Sequence, residues 1–420
     1  FVDAFINEQE WKDVVEQNDR LAKISKKDVV DFANRFFTDG YVAIYKQQGV
    51  DSTQRKIDKP QITPIPSNRD QMSDFVRQVQ NSQVEPIQPV FVDFQKDLTI
   101  GRNKAKQTVL YKQNTENDLF TFVMRYDFGQ QADNRYEMAA DYLNYLGTST
   151  LSPTDIKERF YEMACNYNVS VGNDAINITL TGLNESMTDA LTLLEQVLTD
   201  AQVDKEAYEQ DVQLVLKNRE DNKKNQRACF SALFNYGVYG AYNSTRNTMS
   251  ESQLQNTDPQ VLIDLIKGLR NYEYTVCYYG PLSLKELNSM VASCHKTPKK
   301  LLPALENKPY EKQLAQTNEI LLAPYEAKNI YMRMYHNENR EWNPEEAATR
   351  ILFNEYFGGG MNGVVFQELR EARGLAYNAS ALYERPYKKG EKESFFTHII
   401  AQNDKMMDCV KVFHEILDTL

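Results

Sequence analysis

The chain has 420 residues, 41% hydrophobic and 25% charged, enough apolar material for two or more cores. A formal net charge of -11 argues against nucleic acid or an anionic membrane face as partner, because neutralising phosphates takes clustered Lys and Arg. No apolar run approaches the roughly 20 residues that a membrane-spanning helix needs.

Residues 1–37 follow a helical pattern, with Val29, Val30, Phe32, Ala33, Phe36 and Phe37 at three- and four-residue steps and Ser25 as N-cap. Tyr41–Tyr45 then reads as a short strand closing a module. Residues 50–90 hold Pro60, Pro64, Pro66, Pro86 and Pro89 among Gln, Asp and Ser, with one helical patch near Met72–Val79; this is a tether between modules. A whole module occupies 91–295. Leu119–Tyr126 has the composition of a strand, 136–146 an apolar helical stripe, and Ile176, Ile178 and Leu180 alternate with polar residues as in a strand buried on one face. Met187, Ala190, Leu191, Leu194, Val197 and Leu198 line one side of the next helix. Helices at 204–225 and 259–269 and a strand at 273–279 complete the module. The order suggests helices packed on one face of a sheet, an α+β layer.

A connector at 296–325, dotted with Pro298, Pro303, Pro309 and Pro324, leads to a last segment, 326–420. Its pattern reads as strand Asn329–Tyr335, helix 344–357, Gly358–Gly360, helix 363–372, strands 375–383 and 395–401, and a helix from 404. The triple glycine lacks the spacing and the following Lys-Ser/Thr of a phosphate cradle and reads as a helix stop and close-approach loop. Lys217–Arg227 reads as a solvated helix end. No aromatic array alternates with basic residues as single-strand nucleic-acid binders require.

The chain repeats itself. With a shift of 210, Asn144 meets Asn354, Glu158 meets Glu368, Tyr167-Asn168 meets Tyr377-Asn378, and Ser170 meets Ser380. With a shift of 233, Leu21, Asp31, Tyr41 and Tyr45 meet Leu254, Asp264, Tyr274 and Tyr278. So long a period means duplicated domains rather than a solenoid. Residues 1–49 copy the tail of a module and 326–420 its head. Starting at Phe1, the sequence reads as a fragment of a larger protein. A leader peptide would lie upstream, so compartment stays open between periplasmic or secreted and cytoplasmic. The five cysteines are odd in number and lack C-x-x-C spacing, and read as free thiols in ordinary packing.

The run Gly358-Gly-Gly-Met361, followed by Phe366-Gln-Glu-Leu-Arg-Glu-Ala-Arg-Gly-Leu-Ala-Tyr377, resembles the C-terminal signature of the pitrilysin/insulinase family of zinc metallopeptidases, the inverzincins. Residues 25–49, Pro64–Ser73 through Phe94, Leu180–Leu198 and Leu254–Pro281 resemble family segments in the expected order. The resemblance implies an α+β fold of repeated homologous modules, each a mainly antiparallel sheet with helices packed on one face. Two halves of two such domains are joined by a linker.

In that family zinc is held by H-x-x-E-H on a helix of the first domain and a glutamate on a later helix. This chain has four histidines, His295, His336, His398 and His414, and none sits in such a motif. They read as surface or partly buried polar residues. The homologous positions are Asp141, Asn144 and Tyr145, with the third-ligand position near Lys217-Asn218, so this module is expected to bind no zinc. The zinc, the catalytic base and the water are then implied in a missing N-terminal half. Arg370 and Tyr377 match the arginine and tyrosine of the family's second half, which the resemblance places against the substrate carbonyl or the oxyanion formed from it. The reading is the substrate-binding, C-terminal half of a zinc-dependent endopeptidase acting on peptides in an enclosed chamber, inactive by itself. Its partners are peptide substrates and the N-terminal half. The alternative is a non-catalytic, peptidase-like structural subunit of a complex. A hydrolase using a carboxylate pair within this chain has no support beyond the abundance of Asp and Glu.

Overall fold

A computed structural model describes residues 1–46, 49, 53, 72–386 and 390–419 and divides the chain into two compact units, Phe1–Gln88 and Pro89–Leu420. The first unit carries helices α1 (Val2–Ile6), α2 (Trp11–Val15), α3 (Gln17–Leu21), α4 (Lys26–Phe36) and α5 (Asp74–Asn81). Ser25 caps α4 as expected, in a reciprocal box: its hydroxyl accepts from the Asp28 N–H while the Asp28 carboxylate accepts from the Ser25 N–H. Tyr41–Tyr45 is not a strand; it is exposed coil. A strand exists through its ladder, and no strand lies among the described residues of this unit to pair with it. Pro60, Pro64 and Pro66, in the expected tether, lie outside the described residues.

The second unit holds two sheets. Its first part runs β1 (Thr99–Arg102), β2 (Thr108–Gln113), β3 (Leu119–Tyr126), α6 (Arg135–Leu143), α7 (Pro153–Glu162), β4 (Cys165–Val171), β5 (Ile176–Leu183), α8 (Met187–Asp200), α9 (Lys205–Lys223), α10 (Gln226–Tyr239), α11 (Glu251–Asn256), α12 (Pro259–Gly268), β6 (Thr275–Gly280) and α13 (Leu284–Cys294). The strand order is β1-β2-β6-β3-β5-β4, antiparallel throughout except between β2 and β6. Phe120, Phe122, Met124 and Tyr126 of β3 and Ile176, Ile178 and Leu180 of β5 point to one face. There they join Met187, Ala190, Leu191 and Leu194 of α8 and Leu262, Ile263 and Ile266 of α12 in one core.

The second part runs β7 (Asn329–Met332), β8 (Tyr335–Glu341), α14 (Ala347–Phe357), α15 (Val364–Phe366), β9 (Ala376–Glu384), β10 (Lys392–Gln402) and α16 (Met406–Thr419). β10 is central, with β9 along one side and β7 and β8 end to end along the other, all antiparallel. The expected strand Asn329–Tyr335 is therefore one edge interrupted at Arg333-Met334, where the Met334 carbonyl still accepts from the Thr397 N–H at 2.9 Å. Phe357, Leu369, Ile399, Cys409 and Phe413 centre a second, smaller core between this sheet and its helices. The glycines behave as the sequence suggests. A Cβ on Gly358 would lie 1.9 Å from the Ala381 carbonyl oxygen, and Gly360 has a φ of +69°.

The 296–325 connector is fastened along its length. Asn307 donates to the Asp127 carbonyl and accepts from the Gly129 N–H, the Gln313 N–H donates to the Val238 carbonyl, and Lys312 pairs with Glu384 at 2.6 Å. All five cysteines are free. No helix among the described residues is long and apolar enough to cross a membrane.

Candidate functional site

Gln367–Ala372, which continues α15, widens into π-helical turns, a geometry often met at functional positions. Gly374, with φ +59°, then reverses the chain into β9 while the Leu375 N–H donates to the Leu369 carbonyl. The reversal stacks Arg370 at the helix end over Tyr377 at the start of the strand. The guanidinium carbon lies 5.8 Å from the Tyr377 ring centroid and 4.8 Å from that of Phe366. These are cation–π distances. Tyr377 is 74% exposed, and its strand neighbours Ala376 and Ala379 are buried in the core. The two residues singled out from the sequence are thus brought together, at the surface. A guanidinium fork and a phenol can donate hydrogen bonds toward one carbonyl or oxyanion.

The degenerate positions are built otherwise. Asn144 caps the C-terminus of α6 and turns its amide back onto the Ala140 and Asp141 carbonyls at 3.3 Å each. Tyr145 is exposed. Lys217 lies on the outer side of α9, paired with Asp221 at 2.9 Å. The residue that faces Asp141 is instead Asp211, a turn and a half earlier, which sequence alignment missed. Asp211 is buried, with one carboxylate oxygen lacking any hydrogen bond, and burial followed by repulsion from Asp141 pushes its pKa up to about 6. Withdrawal from water also raises the Asp141 carboxyl. Zinc sites draw three or four ligands from His, Cys, Asp and Glu, and the described residues contain no such group of three.

The expectation for the histidines holds for His336 and His414, which are exposed, and for His398, which is half-buried. His295 departs from it. It is buried at the end of α13, its Nδ1 2.5 Å from the Glu195 carboxylate in the core beneath α8. Its sequence neighbours give no sign of this, because the partner is a hundred residues away.

Residues 273–420 match the family described as the peptidase M16 inactive domain. None of the curated proteins matches the sequence. Among solved structures, the peptidase M16 inactive domain from Pseudomonas fluorescens is 16% identical, with a TM-score of 0.60 over 76% of this chain and 79% of that one. A mutant of the ferredoxin protease FusC in complex with Arabidopsis ferredoxin is 12% identical, with a TM-score of 0.62 over 94% of this chain and 41% of that one. The periplasmic protease PqqL from Escherichia coli is 11% identical, with a TM-score of 0.62 over the same shares, 94% and 41%. The chain therefore spans about two fifths of the length of these two proteases. The family match over residues 273–420 and the shared fold support a C-terminal half of a pitrilysin-family (M16) protein.

Proposed function

We propose that this half presents the substrate-facing wall of a zinc-dependent endopeptidase, with Arg370 and Tyr377 as its contribution to the reaction. The observation that carries the reading is the exposed pairing of a guanidinium on the π-helical turn with a phenol at the start of β9. The partner half of such an enzyme carries the zinc, which makes hydroxide available near neutral pH. Arg370 and Tyr377 act on the other side of the scissile bond. They hold the substrate carbonyl and strengthen their hydrogen bonds as it becomes an oxyanion. Likeness to proteases of the same fold supports peptide hydrolysis, and one of these is complexed with ferredoxin, which supports protein or peptide substrates.

The test is Tyr377→Phe in the protein carrying both halves. Removing one oxyanion donor should lower kcat on the order of 10²-fold, with zinc content and melting temperature preserved. Unchanged turnover would remove the catalytic role and leave the chain as a structural half.

A further inference from the structure

The second sheet has two faces, and its own helices cover only one. On the other, strand alternation lines up Tyr331, Arg333 and Tyr335 along the interrupted edge beside Ile400, His398 and Phe396 of β10. Helix α10, from the preceding module, lies across this face. Phe230 meets Tyr331 edge-on at 5.7 Å, and Phe234 meets Tyr335 edge-on at 5.9 Å. The contact is incomplete. A cavity of about 240 Å³ remains, lined by Phe234, Asn235, Tyr239, Arg333, Tyr335 and Glu384 among others. A water occupies about 30 Å³ in the liquid, so the space would hold a group the size of an amino-acid residue.

Arg333 stands in this cavity without an ion pair, although Glu384 also lines it. Its guanidinium carbon lies 4.3 Å from the Phe234 centroid, 5.1 Å from Phe396 and 5.8 Å from Phe230. Its Nε is buried with no hydrogen-bond partner, and so is the Tyr335 hydroxyl. Two other half-buried arginines of this unit are paired with acids: Arg135 with Asp133 at 2.6 Å, and Arg350 with Glu346 and Glu393. The acid nearest in effect, Glu384, is already held by Lys312 and Ser394. Burial lowers the Arg333 pKa, and the charge of Glu384 offsets this only in part. A guanidinium offers five donors, and aromatic faces satisfy none of their hydrogen bonds. Glu384 is taken up by Lys312, which leaves the single charge of Arg333 facing the cavity, and one charge suits a monoanion better than a phosphate dianion.

We propose that this cavity binds a carboxylate carried on a residue-sized apolar stem, the C-terminal carboxylate of a peptide. Arg333 receives the carboxylate, the Tyr335 hydroxyl donates a further hydrogen bond, and the rings of Phe234 and Phe396 take the stem. The site lies on the sheet face under α10, and its occupation does not depend on whether Arg370 and Tyr377 contact an oxyanion.

Calorimetric titration of the full chain tests this with three probes: N-acetyl-leucine, N-acetyl-leucinamide, and N-acetyl-glutamic acid α-amide. The free acid should bind at least about 10-fold more tightly than the neutral amide, a difference of about 1.4 kcal/mol. It should shift the Arg333 Nε–H resonance, and Arg333→Gln should remove the preference. Preferential binding of the glutamate probe would keep the carboxylate site but assign it to acidic side chains. If Arg333→Gln fails to fold, Tyr335→Phe should weaken the free acid several-fold and leave the amide alone. Equal affinity for acid and amide, or no heat from any probe at millimolar concentration, overturns the proposal. Because the readout is binding rather than cleavage, its failure is distinct from loss of the peptidase reading.

Discussion

The shift of 210 that aligns the two modules places Phe160 on Arg370 and Tyr167 on Tyr377. Both pairs meet in space. Phe160 is buried, its ring 4.9 Å from that of Tyr167, and burial raises the Tyr167 pKa. Arg370 and Tyr377 occupy the same frame, helix end over strand start, but stand at the surface. Proximity is therefore a property of the duplicated fold and says nothing about chemistry. What distinguishes the second pair is the guanidinium and its exposure, and these are the features on which a catalytic reading rests.

Exchanging the two pairs gives the sharpest tests. Phe160→Arg would bury a charge among apolar side chains with no acid provided for it. It should cost more than about 4 kcal/mol and leave little folded protein, seen as loss of the cooperative thermal transition. Arg370→Phe copies the other module's solution and should stack on Tyr377, keeping stability within about 0.5 kcal/mol. In the protein with both halves it should still lower kcat by about 10²–10³-fold. If turnover survives Arg370→Phe, the two pairs are equivalent and the distinction drawn here is wrong.

A second repeated position separates the modules more finely. Asn354 bridges to the backbone of Tyr383, donating to its carbonyl at 3.0 Å and accepting from its N–H at 2.8 Å. Asn144, its counterpart, reaches only the carbonyls of its own helix. Asn354→Ala should cost about 1–3 kcal/mol, since it strands two partly buried backbone groups, whereas Asn144→Ala should cost about 0.5 kcal/mol or less. Urea unfolding of the two variants side by side checks this. Equal losses would mean that the Asn354 bridge contributes nothing specific.

Much of this was legible in the sequence because it is local or periodic. Alternation along Leu119–Tyr126 and Ile176–Leu183 marked those strands, the stripe from Met187 to Leu198 marked α8, and Ser25 marked a helix start. Arg370 and Tyr377 could be singled out because the run that carries them is contiguous. What escaped is what depends on distant partners. Tyr41–Tyr45 has the residues of a strand and no ladder, while its repeat counterpart around β6 has β2 and β3 on either side. His295 meets Glu195 across the core, and Arg333 meets three rings from two other elements. Helix α10 carries no strong one-sided pattern, because one of its faces is buried by another module's sheet rather than by its own core.

Asp211 gives the most diagnostic effect, because its sign reverses the usual one for a carboxylate. Its folded pKa of about 6 lies above the ordinary 3.8, so between these values the folded chain holds a proton that the unfolded chain releases. Stability contributed by this group therefore falls as pH rises from about 3.8 to about 6, and the penalty is complete above that. Asp211→Asn removes the charge while keeping the shape, and should stabilise the chain by about 1–3 kcal/mol at pH 7.5. The gain should shrink to a small part of this at pH 4, where the folded chain keeps Asp211 protonated and the unfolded chain is close to half protonated. Asp141→Asn should recover a smaller part of it, since repulsion from Asp141 is the lesser cause of the shift. Urea unfolding of wild type and both variants at the two pH values measures all of this. A gain from Asp211→Asn that is the same at pH 4 and pH 7.5 would show that the carboxylate is not strained there. The position facing Asp141 would then be an ordinary solvated one, as the outer side of α9 at Lys217 is.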